Sequence, residues 1–256
     1  MERMLRATAR AEDEHFWFRA LRRNADRLLS VATAGRPAGW VVDCGAGTGR
    51  NLDWLTRHGE VLGLELTQAG LDAGRARGRR LVRGTVAALP LADNSVGVAT
   101  SFDVLYCLDD ETERRAVEEM WRVLQPGGLA VINAAALGVL HGSHSTLTRE
   151  VRRYSRRRLT ALLTSAGFSI ERLTFTNMAT FPIALAVRTL DRLAGHAGEA
   201  SEADLRVPPR PINWCFDRLL AVEGWWLRFF DLPIGTSLLC VARKQQGRRP
   251  TNPKPA

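Results

Sequence analysis

The sequence predicts an α/β protein with a doubly wound, seven-stranded sheet and helices on both faces. Two observations support this class of fold. Short apolar runs alternate with amphipathic segments along most of the chain, and a glycine-rich turn follows the first apolar run. The length of 256 residues, with 45% hydrophobic and 25% charged residues, is ordinary for a soluble globular protein.

The first 35 residues are predicted to form an amino-terminal helical cap, and residues 36–175 a core in which strands and helices alternate. Strands are expected near 40–44, 61–65, 81–83, 96–101, 129–134 and 169–175, and helices over 48–57, 67–77, 111–124 and 155–166. Because strands and helices alternate, the sheet is expected to be parallel, with ligands at its carboxyl edge.

The carboxyl-terminal part departs from this alternation. Residues 176–234 contain two apolar helical stretches around a polar, proline-bearing segment, and we expect a helical insertion that forms part of a substrate lid. The last strand of the core is expected within 235–244. The polar and proline-rich residues 245–256 are predicted to form a disordered tail.

The glycine-rich turn lies in the run Val41-Val42-Asp43-Cys44-Gly45-Ala46-Gly47-Thr48-Gly49. Glycine tolerates positive φ and lets the main chain approach a ligand closely. The exposed N–H groups of the following helix favour negative charge. The spacing differs from the dinucleotide fingerprint and lacks the Gly-Lys-Ser/Thr ending of a phosphate-binding loop.

An acidic residue follows at the distance that a nucleoside site requires. Glu65 ends the second predicted strand, 20 residues after Gly45. A carboxylate about 20 residues after such glycines can accept hydrogen bonds from ribose hydroxyls. The alternative is a helix cap or a solvated acid, and the preceding loop favours the ribose role.

Together with two later segments, this turn resembles the class I S-adenosylmethionine-dependent methyltransferases. Gly84–Ser95 is similar to the stretch that holds adenine, and Arg122–Ile132 is similar to the helix–Pro-Gly-Gly–strand element after the fourth strand. The resemblance covers residues 12–175 and implies a Rossmann-like fold. The cofactor-binding residues that it implies are Asp43, Gly45, Ala46, Gly47, Gly49, Glu65, Leu66, Thr85, Val86, Ser101 and Phe102.

The segment His15-Phe16-Trp17-Phe18-Arg19 resembles an amino-terminal element of one subset of this family, where it covers the methionine end of the cofactor. The resemblance adds Trp17 and Arg19 to the cofactor site, with Arg19 suited to pair with a carboxylate. His15 is a candidate base. The alternative is an amphipathic helix that packs on the sheet through its aromatic residues.

The segment around His141 and His144 resembles the region after the fifth strand in the same subset. His144 is the first candidate for a general base, because the reference pKa of histidine lies near neutrality. A loop histidine without a role is an equal alternative. Tyr106, His141, Tyr154 and Trp225 are candidate substrate contacts, and Asp103 at the end of the fourth strand is structural, catalytic or neither.

The Trp225-Trp226 pair admits three interpretations. It can line an acceptor pocket, rest on a membrane surface or pack in the core. Core packing is the commonest explanation for such a stripe, so peripheral membrane contact is not favoured.

The net charge of +9 is supplied almost entirely by arginine. The chain has no RNA-binding motif, so nucleic acid is not an expected partner. The four cysteines are scattered without metal-type pairs, which indicates reduced thiols in a cytoplasmic protein and no metal site. No apolar run has the length of a membrane span and no secretory signal is recognised. A monomer and a homodimer remain equally open.

The resemblance implies transfer of a methyl group from S-adenosylmethionine to a small molecule. Because the predicted lid is large and apolar, a bulky specialised metabolite, a sugar-containing intermediate or a lipid-like acceptor is expected. Thr85, Gly97, Cys107, Ser145 and Glu150 depart from the family pattern. These departures support two alternatives, a fold repurposed for cyclisation or elimination and a noncatalytic binding protein.

Overall fold

The computed structural model describes residues 2–34, 38–140, 150–193 and 206–245. Its centre is a seven-stranded sheet with the order β3-β2-β1-β4-β5-β7-β6. The strands are β1 Trp40–Cys44, β2 Glu60–Glu65, β3 Leu81–Arg83, β4 Val96–Phe102, β5 Leu124–Ala135, β6 Phe168–Thr176 and β7 Ser237–Lys244. The strand order reverses direction at β1 and β4, so the doubly wound, seven-stranded fold predicted from the sequence is confirmed.

The expectation of an all-parallel sheet is wrong for the last strand. The pairs among β1 to β5 are parallel, whereas β7 lies antiparallel between β5 and β6. Thr176, at the end of β6, pairs with Ser237, at the start of β7. Because these strands run in opposite directions, the insertion between them begins and ends at the carboxyl edge of the sheet. The direction of β7 therefore places the insertion beside any ligand at that edge.

Helices cover both faces of the sheet. The helices are α1 Glu2–Ala11, α2 Phe16–Ala32, α3 Leu52–Leu55, α4 Gln68–Arg75, α5 Asp110–Val123, α6 Arg156–Ser165, α7 Phe181–Leu193 and α8 Arg210–Trp226. Buried side chains of α2, α3 and α4 share one core cluster, and those of α5 and α6 share the other. Burial of each large aliphatic side chain in these layers contributes roughly 1.5–3 kcal/mol. Short 3₁₀ turns lie at Leu105–Cys107 and Gly138–Leu140.

Three local features differ from the expected elements. The helix expected over 48–57 is a single turn, Leu52–Leu55, because the glycine loop occupies the residues before it. The Pro-Gly-Gly turn lies inside β5, which already begins at Leu124. The tail expected over 245–256 lies outside the described residues, apart from Gln245.

Gly97 has a structural explanation. A Cβ atom at this position would lie 1.8 Å from the carbonyl oxygen of Ala38, so only glycine fits between β4 and the chain that enters β1. Its departure from the family pattern therefore arises at the amino end of the sheet, away from the edge where ligands bind.

Candidate active site

One cavity of about 680 Å³ lies at the carboxyl edge of the sheet. Its walls are the glycine loop, the ends of β2 and β4, the first two helices, and parts of α7 and α8. The volume lies within the range of roughly 300–1,000 Å³ that is common for small-molecule sites. The topological switch between β1 and β4 is where a doubly wound sheet binds its ligand.

The glycine loop forms the floor of this cavity. Gly45 has φ of 82° and Gly47 has φ of 57°, a region that favours glycine. A Cβ atom at Gly45 would lie 2.5 Å from Val104, so the loop passes close to the end of β4. Gly49 also has positive φ, but it faces Arg79 and does not line the cavity.

Glu65 is held at the cavity wall by three donors. The backbone N–H of Gly47 donates to Oε2 over 2.8 Å, and the N–H and hydroxyl of Thr67 donate to Oε1 over 2.8 and 2.5 Å. A carboxylate offers about four acceptor sites. One site, on Oε2, is left for a hydroxyl in the cavity, so the side chain is already oriented for a ligand.

The remaining residues that the resemblance assigned to the cofactor fall into two groups. Ala46, Leu66, Thr85, Val86 and Phe102 line the cavity beside the glycine loop and Glu65. These side chains are small or apolar, and they leave a wall on which a planar base can pack.

Asp43 and Ser101 form the second group and lie behind that wall, each about 1% exposed. Asp43 Oδ1 accepts a hydrogen bond from Thr100 over 2.6 Å. Burial raises the pKa of Asp43 to about 6. Asp43 Oδ2 and Ser101 Oγ have no hydrogen-bond partner among the described residues.

The junction between α1 and α2 is fastened to the glycine loop. Glu12 is buried, and its carboxylate accepts from the hydroxyl of Thr48 over 2.6 Å and from Arg77 over 2.8 Å. Asp13 forms an ion pair with Arg50. These contacts hold Trp17, on the first turn of α2, against the cavity.

His15 lines the cavity and caps the start of α2. Its Nδ1 accepts the backbone N–H of Trp17 over 3.2 Å and thereby caps α2. Burial lowers the pKa of His15 to about 4, so the ring is neutral at pH 7. Because Nδ1 is the acceptor, Nε2 bears the proton. Because this hydrogen bond occupies Nδ1, the role of His15 as a base stays a prediction.

Arg19 does not reach the cavity. Its guanidinium lies 3.4 Å from Asp217 of α8, and it does not contribute to the cavity wall. Arg22, almost one turn further along α2, lines the cavity instead. Burial lowers the pKa of Arg22 to about 10, and no ion pair of Arg22 occurs within the described part of the chain. The positive charge expected from Arg19 is thus supplied by Arg22.

Asp103 is one of the acidic residues that line the cavity. It has φ of 61°, which is uncommon for a residue other than glycine. Its N–H donates to the carbonyl of Asn133 over 3.0 Å, and the Asn133 amide donates to Oδ1 over 2.9 Å. Burial and the nearby Glu150 raise the pKa of Asp103 to about 7, although the Asn133 hydrogen bond opposes the shift. Strain and a near-neutral pKa in a cavity are features of functional acids.

Beside Asp103, Glu150 and Arg153 pair over 2.6 Å, and both line the cavity with Tyr106. Burial raises the pKa of the Tyr106 hydroxyl well above its usual value, so it remains protonated. The position of Tyr106 agrees with its expected contact to substrate.

Tyr154 does not line the cavity. It is fully buried, and its hydroxyl donates to Glu113 of α5. Arg152 and Arg158 pair with the same carboxylate over 3.1 and 2.8 Å. Tyr154 therefore joins α5 to the start of α6, and its expected role as a substrate contact is wrong.

The helical insertion closes the other side of the cavity. Ile183 and Val187 of α7 and Phe216 of α8 line it. Trp225 does not; it is 52% exposed, and Trp226 is 48% exposed. Both the substrate contact expected of Trp225 and the core packing favoured for the pair are therefore wrong. His141 and His144 lie outside the described residues.

Arg22 and Arg153 line the cavity although the sequence did not assign them to the site, and Asp103, which the sequence left as structural, catalytic or neither, lines it as well. Asp103 had a recognisable feature, since it follows directly on the last residue of β4 at the ligand-binding edge. Arg22 lies on the same helix as Arg19, and the sequence has no feature that distinguishes the two.

Comparisons with known proteins agree with this geometry. Residues 42–132 match the family model described as a methyltransferase domain. A probable S-adenosylmethionine-dependent methyltransferase of Mycolicibacterium smegmatis is 32% identical over 164 residues, which cover 62% of each chain. A demethylmenaquinone methyltransferase of Corynebacterium kroppenstedtii is 37% identical over 108 residues, 40% of this chain and 46% of its own. The alignments thus span about half to three fifths of these curated relatives.

A solved structure shows the same fold. The 1,6-didemethyltoxoflavin-N1-methyltransferase of Burkholderia thailandensis, with bound 1,6-didemethyltoxoflavin and S-adenosylhomocysteine, superposes with a TM-score of 0.54 at 19% identity. The match covers 88% of this chain and 78% of that chain. At this identity the likeness concerns the fold alone.

The fold and the loop–acid pair define a Rossmann-like nucleoside-binding protein. The match of residues 42–132 to a methyltransferase domain, and the similarity to S-adenosylmethionine-dependent methyltransferases, agree with this class. The residues present fit the cofactor of that family. The loop at Gly47 has no side chain that fills the cavity, Glu65 retains an acceptor site, and Arg22 places a positive charge beyond them.

Proposed function

We propose that this protein transfers a methyl group from S-adenosylmethionine to a bulky, apolar small molecule. The observation that supports this most strongly is one cavity in which the glycine loop and Glu65 lie with Asp103 and the apolar wall of the insertion. When bound, the cofactor supplies an electrophilic methyl carbon on a sulfonium centre.

The chain's own residues have three tasks in this proposal. Gly45, Gly47 and Glu65 bind the nucleoside, while Arg22 pairs with the methionine carboxylate. Trp17 covers the site and excludes water, since the junction before it is fastened to the loop by Glu12. Alignment of two reactants in one cavity is the main contribution that a protein makes to such a transfer.

Asp103 is the proposed general base. With a pKa of about 7, a substantial fraction of its carboxyl is ionised at neutral pH and can accept the proton that an acceptor hydroxyl loses. The neighbouring His15 Nε2–H donates a hydrogen bond to the acceptor and orients it. Asn133 holds the Asp103 carboxylate in place from behind.

The apolar surfaces of Ile183, Val187 and Phe216 favour an acceptor with a large apolar part. The Corynebacterium relative is named as a demethylmenaquinone methyltransferase, and a quinone of this kind is also a ring compound with a large apolar part. We therefore propose an apolar hydroxylated ring compound as the acceptor. The four free thiols are consistent with the proposed cytoplasmic location.

The test is incubation with S-adenosylmethionine labelled in its methyl group and a panel of hydroxylated quinones and phenols. We expect label in the acceptor, formation of S-adenosylhomocysteine, and strong loss of both in Asp103→Asn. A changed acceptor without S-adenosylhomocysteine would indicate a repurposed enzyme. Cofactor binding without turnover of any compound would contradict the proposal and favour a binding protein.

A further inference from the structure

The outer side of α8 and the segment after it form a large exposed apolar surface. We call it the aromatic face, and it consists of Trp214, Leu219, Val222, Trp225, Trp226, Phe229 and Phe230. Each of these side chains is between 42 and 65% exposed. Trp225 contacts Phe229, and Trp226 contacts Phe230, each with ring centroids 5.3 Å apart. Contiguous apolar patches are uncommon on soluble monomers unless a partner covers them.

The charges of this region are sorted by sign. Asp217 is turned inward against Arg23 over 2.6 Å, and Glu223 is turned inward to accept the backbone N–H groups of Asn177 and Ala179. Both acids of α8 are therefore buried and already used in packing. Neither contributes negative charge to the outer surface.

The exposed charges are positive. Within residues 206–234, the exposed charged side chains are Arg206, which lines the cavity, and Arg210, Arg218 and Arg228, together with Asp231, which is paired with Arg172 over 2.9 Å. The Arg218 guanidinium lies 5.7 Å from the ring centre of Trp214, so positive and aromatic groups are interleaved. The surface as a whole is apolar and cationic.

We propose that the aromatic face of α8 docks on an anionic membrane surface. Tryptophan and phenylalanine insert at the boundary between headgroups and acyl chains, and arginine binds the anionic headgroups. A second copy of this chain fits less well, because pairing two aromatic faces would bring their arginines together without unpaired carboxylates to neutralise them. Within the described part of the chain no helix is long and apolar enough to cross a membrane, so the contact is peripheral.

The position of α8 links membrane docking to the cavity. Phe216, on the inner side of the helix, lines the cavity, while Trp214 and Leu219 face outward. Docking would bring the cavity close to the bilayer, from which a lipid-like acceptor would enter between α7 and α8. This use rests on the proposed function, whereas the docking itself does not.

The experiment is co-sedimentation of the full chain with vesicles, in the absence of cofactor and acceptor. One set of vesicles contains phosphatidylcholine alone, and in the other part of it is replaced by phosphatidylglycerol. We expect binding to the anionic vesicles that weakens as salt is added. The double variant Trp225→Ser and Trp226→Ser should weaken this binding on the order of tenfold or more.

Two control variants, Trp40→Ser and Arg80→Gln, test whether a loss of vesicle binding is specific to the aromatic face. Trp40→Ser removes an exposed tryptophan on the opposite face of the sheet from α2 and should leave binding unchanged. Arg218→Gln should weaken binding about fivefold, the effect of one cation near an anionic surface. Arg80→Gln, which removes another exposed arginine, should have no effect. Thermal unfolding confirms that each variant is folded.

Three results would overturn the proposal. The first is equal sedimentation of the Trp225→Ser, Trp226→Ser variant and the unmodified protein, and the second is equal binding to both kinds of vesicle. The third is a dimer in light scattering that dissociates in the same variant while vesicle binding is absent, which would assign the face to self-association. Loss of methyl transfer in Asp103→Asn with intact vesicle binding would concern the reaction alone.

Discussion

The amino-terminal cap, α1 and α2, and the helical insertion, residues 176–234, cover the same cavity but are held by different interactions. The cap is joined to the glycine loop by Glu12 through Thr48 and Arg77. The insertion is joined to the cap by Asp217 of α8, which pairs with Arg23 of α2, and to the sheet edge by Glu223 of α8, which accepts the N–H of Asn177 just after β6. The cap therefore contacts the glycine loop, which is the proposed nucleoside site, and the insertion contacts the cap.

Because the cap and the insertion are held by different contacts, we expect changes in them to alter the affinities for two different ligands. Changes in the cap are expected to alter the affinity for the cofactor, because the cap positions Trp17 and Arg22 over the loop. Changes on the inner side of the insertion are expected to alter the affinity for the acceptor. Asp103 lies between the two regions, at the end of β4, and should affect the reaction itself.

The largest effect is expected at Asp103. Asp103→Asn keeps the shape of the side chain but cannot accept a proton, and kcat should fall by about a hundredfold or more. In the unmodified protein, kcat/KM should rise with pH through about 7, where the carboxyl ionises, and the variant should lose this rise. The measurement is a pH profile of S-adenosylhomocysteine formation. Asp72→Asn, at an exposed carboxylate on α4, is the control and should keep the profile.

The same variant has an expected effect on stability. The pKa of Asp103 is raised from 3.8 to about 7 in the folded state, so the native protein holds a proton that the unfolded chain releases. Stability from this group is therefore lost as pH rises from about 4 to about 7. Asp103→Asn should raise the melting temperature above pH 7 and leave it nearly unchanged at pH 4. A melting temperature that falls at both pH values would show that the carboxylate itself stabilises the fold.

A smaller effect separates two arginines of the cap. Arg22→Gln removes the positive charge that lines the cavity, and the affinity for S-adenosylmethionine should fall about tenfold, as for a charge-assisted hydrogen bond. Arg19→Gln removes a guanidinium that pairs with Asp217 and should leave this affinity unchanged. Calorimetric titration of both variants measures the difference. Equal losses would indicate that the two arginines act through packing of α2 against α8.

An effect of similar size is expected for the insertion. Phe216→Ala removes apolar surface from the cavity wall, so KM for the acceptor should rise about tenfold while the dissociation constant of the cofactor stays the same. Trp214→Ala, on the outer side of the same helix, should change neither with a water-soluble acceptor. A parallel rise in both constants for Phe216→Ala would show that the insertion also holds the cofactor.

The sequence was informative where a function depends on neighbours along the chain. The glycine loop and Glu65 belong to adjacent strands of one βαβ unit, so their spacing places them together. The alternation of strands and helices likewise predicted the doubly wound sheet. The antiparallel direction of β7 was not predicted, because it depends on pairing with both β5 and β6 across long stretches of chain.

Two of the errors involve contacts between distant segments. Whether Arg19 or Arg22 faces the cavity is decided by Asp217, almost 200 residues further on. Tyr154 is buried because Glu113 accepts its hydroxyl from α5. For Trp225, helical periodicity places it on a stripe but does not show which stripe faces solvent. Asp103 was noted at the end of the fourth strand, but its hydrogen bond with Asn133 of β5 joins residues 30 positions apart and was not predicted.

The central claim, that the loop and Glu65 bind the nucleoside of S-adenosylmethionine, is tested most directly by calorimetric titration with that cofactor. Glu65→Gln should weaken binding about tenfold or more, equivalent to about 1.4 kcal/mol, since the amide cannot accept as a carboxylate does. Glu60→Gln, at the exposed start of the same strand, should bind as the unmodified protein does. Equal affinity of all three folded proteins, or no binding by any of them, would contradict the account.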